Sequence, residues 1–283
     1  MQLRHIIAAT DDSPEGMTAV RTAAGLAQRS HARVTVVTVV PIQRRPDDLE
    51  ADRVGLATRV KSALRQLVPA PKVEVAVVQG LPGVEISRIA ETGGGDLVVL
   101  GRKHRSEMHR LLVGDTADSV ARRCGTPCLF VSSREQRFDR ILVALDGTER
   151  GFPVLIAATE FARITGAKVR VVSVEPAYQN EAGVDRLLTG RSARLVEAVD
   201  QRMHTSDLGE GGRDRCRSGG ANAPVVIHRG PVVAEIMAEI RSCSADVLFL
   251  GYHRGGPAAV IDAGSVARRL LHEAPCGVIT IPL

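Results

Sequence analysis

The chain has 283 residues, 44% of them apolar, and a net charge of +5; this suits two compact domains and excludes an extensively disordered chain. With five Phe, two Tyr and no Trp there is little for base stacking, so the positive charge reads as solvated surface with a slight bias towards anionic partners, and no nucleic-acid partner is expected. No apolar run approaches the roughly eighteen residues of a membrane span and no secretory leader opens the sequence, so a cytoplasmic protein without membrane contact is expected.

Residues 3–9 read as a short buried strand. Ser13 then supplies a helix cap and Pro14 the first helical position of a helix reaching Arg29, with Met17, Val20, Ala24, Leu26 and Ala27 at helical spacing. The β-branched run 34–40 predicts a parallel strand, closed by Pro41. A polar stretch, 43–52, precedes a helix to about Leu67 that carries Val54, Leu56, Val60, Leu64 and Leu67. Residues 72–80 predict a third strand, Pro82 opens a helix to about Glu91, and DLVVLG from Asp96 predicts a fourth strand. After a loop and another helix, 128–132 predict a fifth. Strands separated by helices in this way argue for an open, mostly parallel α/β sheet. Cys124 and Cys128, without a second Cys/His pair at zinc spacing, read as buried thiols, and no metal is expected.

The pattern then restarts. Asp11 and Val39 recur as Asp146 and Val174, 135 residues later, while Gly101 and Gly114 recur as Gly251 and Gly264, 150 residues later. The second half therefore carries fifteen extra residues between its second and third strands. They fall in a tract with an amphipathic helical pattern over 185–203 and a run rich in Gly, Ser and charge, which predicts a mobile insertion at about 204–223. Two tandem α/β domains are expected, 1–135 and 136–283, each an open-sheet, Rossmann-like, five-stranded α/β/α sandwich.

The repeated loop leaves a buried strand at a glycine and enters a helix at Gly264-Ser265-Val266. Unpaired N–H groups and the positive end of the helix dipole suit an anion there. Ser265 is open to two readings, a hydroxyl donor to a phosphate or a helix N-cap.

These residues resemble the universal stress protein family, specifically its tandem members, over nearly the whole chain. Members that bind adenine nucleotides are similar in having an aspartate after the first strand, a valine at the end of the second, and G-x2-G-x9-G-[ST] after the fourth. The second half has Asp146, Val174, Gly251, Gly264, Ser265 and Val266 at those places, with Arg254 where the middle glycine stands and Gly255 and Gly256 following. The first half has Asp11, Val39, Gly101 and Gly114, but His104 replaces the middle glycine and Asp115 replaces the Ser or Thr. The resemblance implies that Asp146 lies near base or ribose, Val174 offers backbone to adenine, Gly251 lines the ribose, and Gly264, Ser265 and Val266 receive phosphates. Arg254 either pairs with phosphate or plugs its track. A carboxylate at Asp115 would satisfy the helix start itself and repel phosphate, so the first site is expected to be degenerate.

The function expected is a stress-response sensor or regulator binding ATP, ADP or AMP in the second domain, with Mg in the case of ATP. The alternatives are a ligand-free interaction or structural module and a slow ATPase. No Walker A, H-E-x-x-H or G-x-S-x-G sequence occurs, and no acid, base or nucleophile constellation marks a catalytic residue. An intramolecular pairing of the two domains through their fifth strands is expected, with a homodimer also open and no protein partner named.

Overall fold

The computed structural model describes residues 1–69, 71–102, 116–133, 136–175, 196–197, 199, 223–253 and 264–283. The chain divides into two compact units, Met1–Arg137 with Leu250–Leu283, and Phe138–Phe249.

In the first unit, β1 (His5–Ala9) is buried throughout, and α1 (Pro14–Ser30) follows. Ser13 caps α1 by accepting the Gly16 N–H at 3.1 Å, Pro14 pre-sets the first turn, and His31 in the left-handed region ends the helix. Strand β2 (Arg33–Val40) leads to α2 (Pro46–Ala63). The helix opens inside the stretch expected to be polar loop, because Pro46 at its start and Asp47 and Asp48 in its first turn are themselves helix-start residues. Leu56, Val60 and Leu64, four apart, are its buried stripe; Val54, two positions before Leu56, falls on the other face and is 55% exposed. Then come β3 (Val73–Gln79), α3 (Pro82–Thr92), β4 (Leu97–Gly101), α4 (Thr116–Arg123) and β5 (Cys128–Val131).

These strands lie in the order β3-β2-β1-β4-β5 and are all parallel. The order reverses at β1, so the crevice past its carboxyl end is a topological switch point. On the far side of β5 lies β10 (Gly277–Pro282), antiparallel, with Cys128 opposite Thr280, Leu129 opposite Ile279 and Phe130 opposite Val278. Cys124 and Cys128 are both buried. The Cys124 thiol is drawn down to about 7, chiefly by its hydrogen bond with Cys128, whose own thiol is pushed well up by that bond and by burial.

The second unit holds β6 (Arg140–Leu145), a 3-10 turn at Glu149–Gly151, α5 (Phe152–Thr165), β7 (Lys168–Glu175), β8 (Val225–Arg229) and α6 (Val232–Ser242). Strands β6, β7 and β8 are parallel neighbours. Phe161 stacks edge-on with both Phe138 and Phe249, at 5.2 and 5.5 Å between centroids, and is fully buried. Strand β9 (Val247–Tyr252) crosses the boundary between the units, and α7 (Gly264–Glu273) belongs to the first.

The aspartate that introduces the fourth strand of each repeat has a structural role. The Oδ2 of Asp96 accepts the N–H groups of Arg4 and His5 at 2.8 and 2.9 Å, and that of Asp246 accepts those of Asp139 and Arg140 at 3.0 and 2.9 Å. Each carboxylate thus satisfies backbone donors where the first strand of its repeat begins. The helical pattern over 185–203 and the insertion at about 204–223 lie almost wholly outside the described residues.

Candidate functional site

A cleft of about 260 Å³ opens at the switch point of the first unit, lined among others by Thr10, Asp11, Val39, Ile86, Gly101 and Thr116. The hydrogen-bond alternation of β2 explains what Val39 contributes. Val34 and Val40 bond towards β3, through Lys72 O at 2.9 Å and Gly80 N at 3.0 Å, whereas Val37 bonds towards β1, its carbonyl accepting the Thr10 N–H at 2.9 Å. Val39 is the next residue facing β1, but β1 has ended at Ala9 and the Thr10 carbonyl is taken by the Thr38 hydroxyl at 2.7 Å. The ladder therefore stops, and among the described residues no strand partner meets the β1-facing backbone of Val39 where it lines the cleft.

Asp11 is held by its own turn. Its Oδ1 accepts the Ser13 N–H at 3.1 Å and the Ser13 hydroxyl, and that same hydroxyl oxygen caps α1. Asp146 repeats the arrangement, accepting the N–H and hydroxyl of Thr148 at 2.9 and 2.7 Å. The following residue is left-handed in both repeats, Asp12 at φ 63° and Gly147 at φ 74°. The non-glycine is held by a two-point ion pair, Arg59 donating to Asp12 at 3.0 and 2.7 Å.

Gly101 has a packing reason for being glycine. A Cβ there would stand 2.5 Å from the Glu15 carbonyl carbon and 2.6 Å from the Gly16 nitrogen, so the end of β4 and the start of α1 meet backbone to backbone. Gly16 is pressed in turn against the Thr10 hydroxyl and Asp11. These glycines close the floor of the cleft.

The structure brings Asp11, Val39 and Gly101 together around one cleft. Their partners His104, Gly114 and Asp115 lie outside the described residues, as does Arg254. Asp146 and Val174 belong to the second unit, and Gly251, Gly264, Ser265 and Val266 to the first. Helix α7 opens at Gly264, so Ser265 stands inside its first turn. The sequence reading missed the other polar lining of the cleft, Thr10, Glu15 and Thr116; their only signal was proximity in sequence to Asp11 and Asp115.

A larger cleft, about 550 Å³, lies on the opposite face of β2 between Thr38, Val40 and α2, with Arg44, Arg45 and Arg59 facing Asp12, Asp48 and Asp52. It is the weaker candidate because its charges serve one another. Arg44 grips Asp52 at 2.8 and 2.9 Å and Arg59 grips Asp12, and the hydrogen bond from Arg44 holds the Asp52 carboxyl below the usual range. In the second unit the buried Glu239 is likewise satisfied, by Arg170 at 2.7 Å and His228 at 3.1 Å.

The model of the universal stress protein family matches residues 2–132 and again 137–282. The chain belongs to the universal stress protein family. The universal stress protein MJ0577 of Methanocaldococcus jannaschii is 30% identical over 63 residues, which is 22% of this chain and 39% of that protein. Among solved structures, a universal stress protein of Archaeoglobus fulgidus covers 98% of this chain, and 96% of its own, at a TM-score of 0.70 and 16% identity. Protein PA1789 of Pseudomonas aeruginosa PAO1, described as functionally unknown, covers 99% of this chain, and 92% of its own, at 0.66 and 16%. At those identities the likeness is one of fold. The two family matches make this a tandem universal stress protein, and among its described residues no helix is long and apolar enough to cross a membrane.

Proposed function

We propose that this tandem universal stress protein is a stress-response sensor or regulator that binds an adenine nucleotide, ATP, ADP or AMP, with magnesium accompanying ATP. The observation that supports it is the first-repeat cleft, where a turn-held carboxylate at Asp11 and the unladdered backbone of Val39 converge at a switch point with Gly101. A purine can take hydrogen bonds from strand backbone, and a ribose hydroxyl can donate to a carboxylate. The same residue types recur as Asp146, Val174 and Gly251.

The repeats differ at the phosphate end. Asp115 directly precedes α4, and a carboxylate at a helix start competes with phosphate for the same N–H groups. In α7 the corresponding residues are Gly264, Ser265 and Val266, with three first-turn donors and a hydroxyl in the sequence and no acid. The reading therefore assigns the phosphate-bearing ligand to the second repeat, with Arg254 pairing to phosphate. Titration calorimetry with ATP, ADP and AMP tests it: about one ligand per chain, most of the heat lost on Gly264→Val and little on Gly114→Val. Arg254→Gly weakens binding if the arginine pairs with phosphate. Equal losses for the two glycine variants, or no heat from the wild type, overturn the assignment.

One observation favours a second reading, an interaction module without nucleotide. The close approach of α1 requires glycine at position 101 whether or not a ligand is present. Equilibrium dialysis that retains none of the three nucleotides would select it, and release of inorganic phosphate from ATP would add slow hydrolysis.

A further inference from the structure

The segment Leu250–Leu283 packs within the first unit through groups that are neither symmetric nor part of the cleft. Positions 118 and 268 are repeat mates, 150 apart, and so are 102 and 252. Asp118 in α4, 4% exposed, accepts the Tyr252 hydroxyl at 3.2 Å and is paired with Arg268 at 3.4 Å and Arg122 at 3.2 Å. Arg102, 2% exposed, donates to the carbonyls of Leu271, Ala274 at 2.8 Å and Cys276 at 2.9 Å, at and just beyond the carboxyl end of α7. A guanidinium there meets orphan carbonyls and the negative end of the helix dipole.

The strand between these contacts cannot choose its partner. Leu129 lies opposite Ile279, its own repeat mate, with Cys128 opposite Thr280 and Phe130 opposite Val278. That register is symmetric about Leu129 and Ile279, and an antiparallel β5–β5 or β10–β10 pair would offer the same backbone bonds. The flanking side chains do distinguish them. In a β5–β5 pair Asp118 would face Asp118, and Arg102 would have to serve both a carboxylate and a helix end. In a β10–β10 pair Arg268 would face Arg268, and neither Tyr252 hydroxyl would find a carboxylate. Only the mixed pair sets Asp118 against Arg268 and leaves Arg102 to serve the helix end.

We propose that Asp118, Tyr252 and Arg268, with Arg102, form a partner-selection element that makes β5 take this chain's own β10 and refuse a like strand from a second copy. The partner is a segment of the same chain, recognised by one buried carboxylate.

The test uses the full chain, with thermal midpoint and mass by light scattering as readouts. Arg268→Met removes the attraction, and Arg268→Asp adds a carboxylate facing Asp118. The second is expected to lower the midpoint by several degrees more than the first and to produce concentration-dependent self-association, as unsatisfied β5 and β10 edges meet other chains. Adding Asp118→Asn to Arg268→Asp relieves the repulsion and is expected to raise the midpoint to about that of Arg268→Met and to reduce the self-association. If Arg268→Asp fails to fold, Tyr252→Phe with Arg268→Met is the milder variant, expected to gain self-association without gross unfolding. Equal effects of Arg268→Met and Arg268→Asp, no rescue by Asp118→Asn, or a mass unchanged in every variant would each overturn the proposal.

Discussion

Gly101 is where one atom decides a boundary between strand and helix. A methyl group there would overlap the backbone of Glu15 and Gly16, which cannot swing aside as a flexible side chain could. Gly101→Ala is expected to cost about 1–3 kcal/mol and to loosen the start of α1; urea unfolding measures the first and amide exchange at Gly16 and Met17 the second. Tyr252 is the second residue with a sharp expectation. Burial, and then the Asp118 carboxylate, push its phenol up from 10.0 to about 12. Below pH 10 the hydroxyl is neutral folded and unfolded, and its contribution is fully present. Between pH 10 and about 12 the unfolded chain ionises while the folded one does not, so stability falls as pH rises. The wild type should lose roughly 1–2 kcal/mol more than Tyr252→Phe across that window. In ultraviolet titration one of the two tyrosines should ionise late, and an early titration of Tyr252 would refute the account.

At the scale of elements, α3 and α4 cross so closely that Gly83 has no room for a side chain. A Cβ there would stand 2.1 Å from the Ser119 hydroxyl oxygen and 2.5 Å from its Cβ. Helix propensity favours Gly83→Ala by up to about 1 kcal/mol, yet overpacking costs about 1–3 kcal/mol, so a net loss is expected. Ser119→Gly in the same chain should recover most of it by vacating the contact. A double variant no more stable than Gly83→Ala alone would place the strain elsewhere. This crossing matters to the site, because α3 carries Ile86 and α4 carries Thr116 into the wall of the cleft.

Across the molecule, the two repeats are alike in fold and unlike in charge where it counts. Asp115 against Ser265, His104 against Arg254 and Asp118 against Arg268 are all repeat mates. A nucleotide held by one repeat only should stabilise the chain by about 2.7 kcal/mol at a free concentration one hundred times its Kd. Gly264→Val should abolish that gain in a thermal-shift assay and Gly114→Val should keep it.

The sequence by itself determined the strand and helix order, because β-branched runs, Ser13-Pro14 and the glycines act within a few residues of themselves. It also determined the duplication and the family, since Asp11 and Val39 recur 135 residues on and Gly101 and Gly114 recur 150 residues on. It misplaced the start of α2, where charged residues that favour a first turn read as loop. Tertiary structure alone decided that Asp96 and Asp246 hold strand starts, that Gly101 answers to α1, and that Asp118 meets Tyr252 and Arg268. Each of these joins residues 85 or more apart in the chain, and a buried polar group finds its partner by position in space, which no local pattern of residue types encodes.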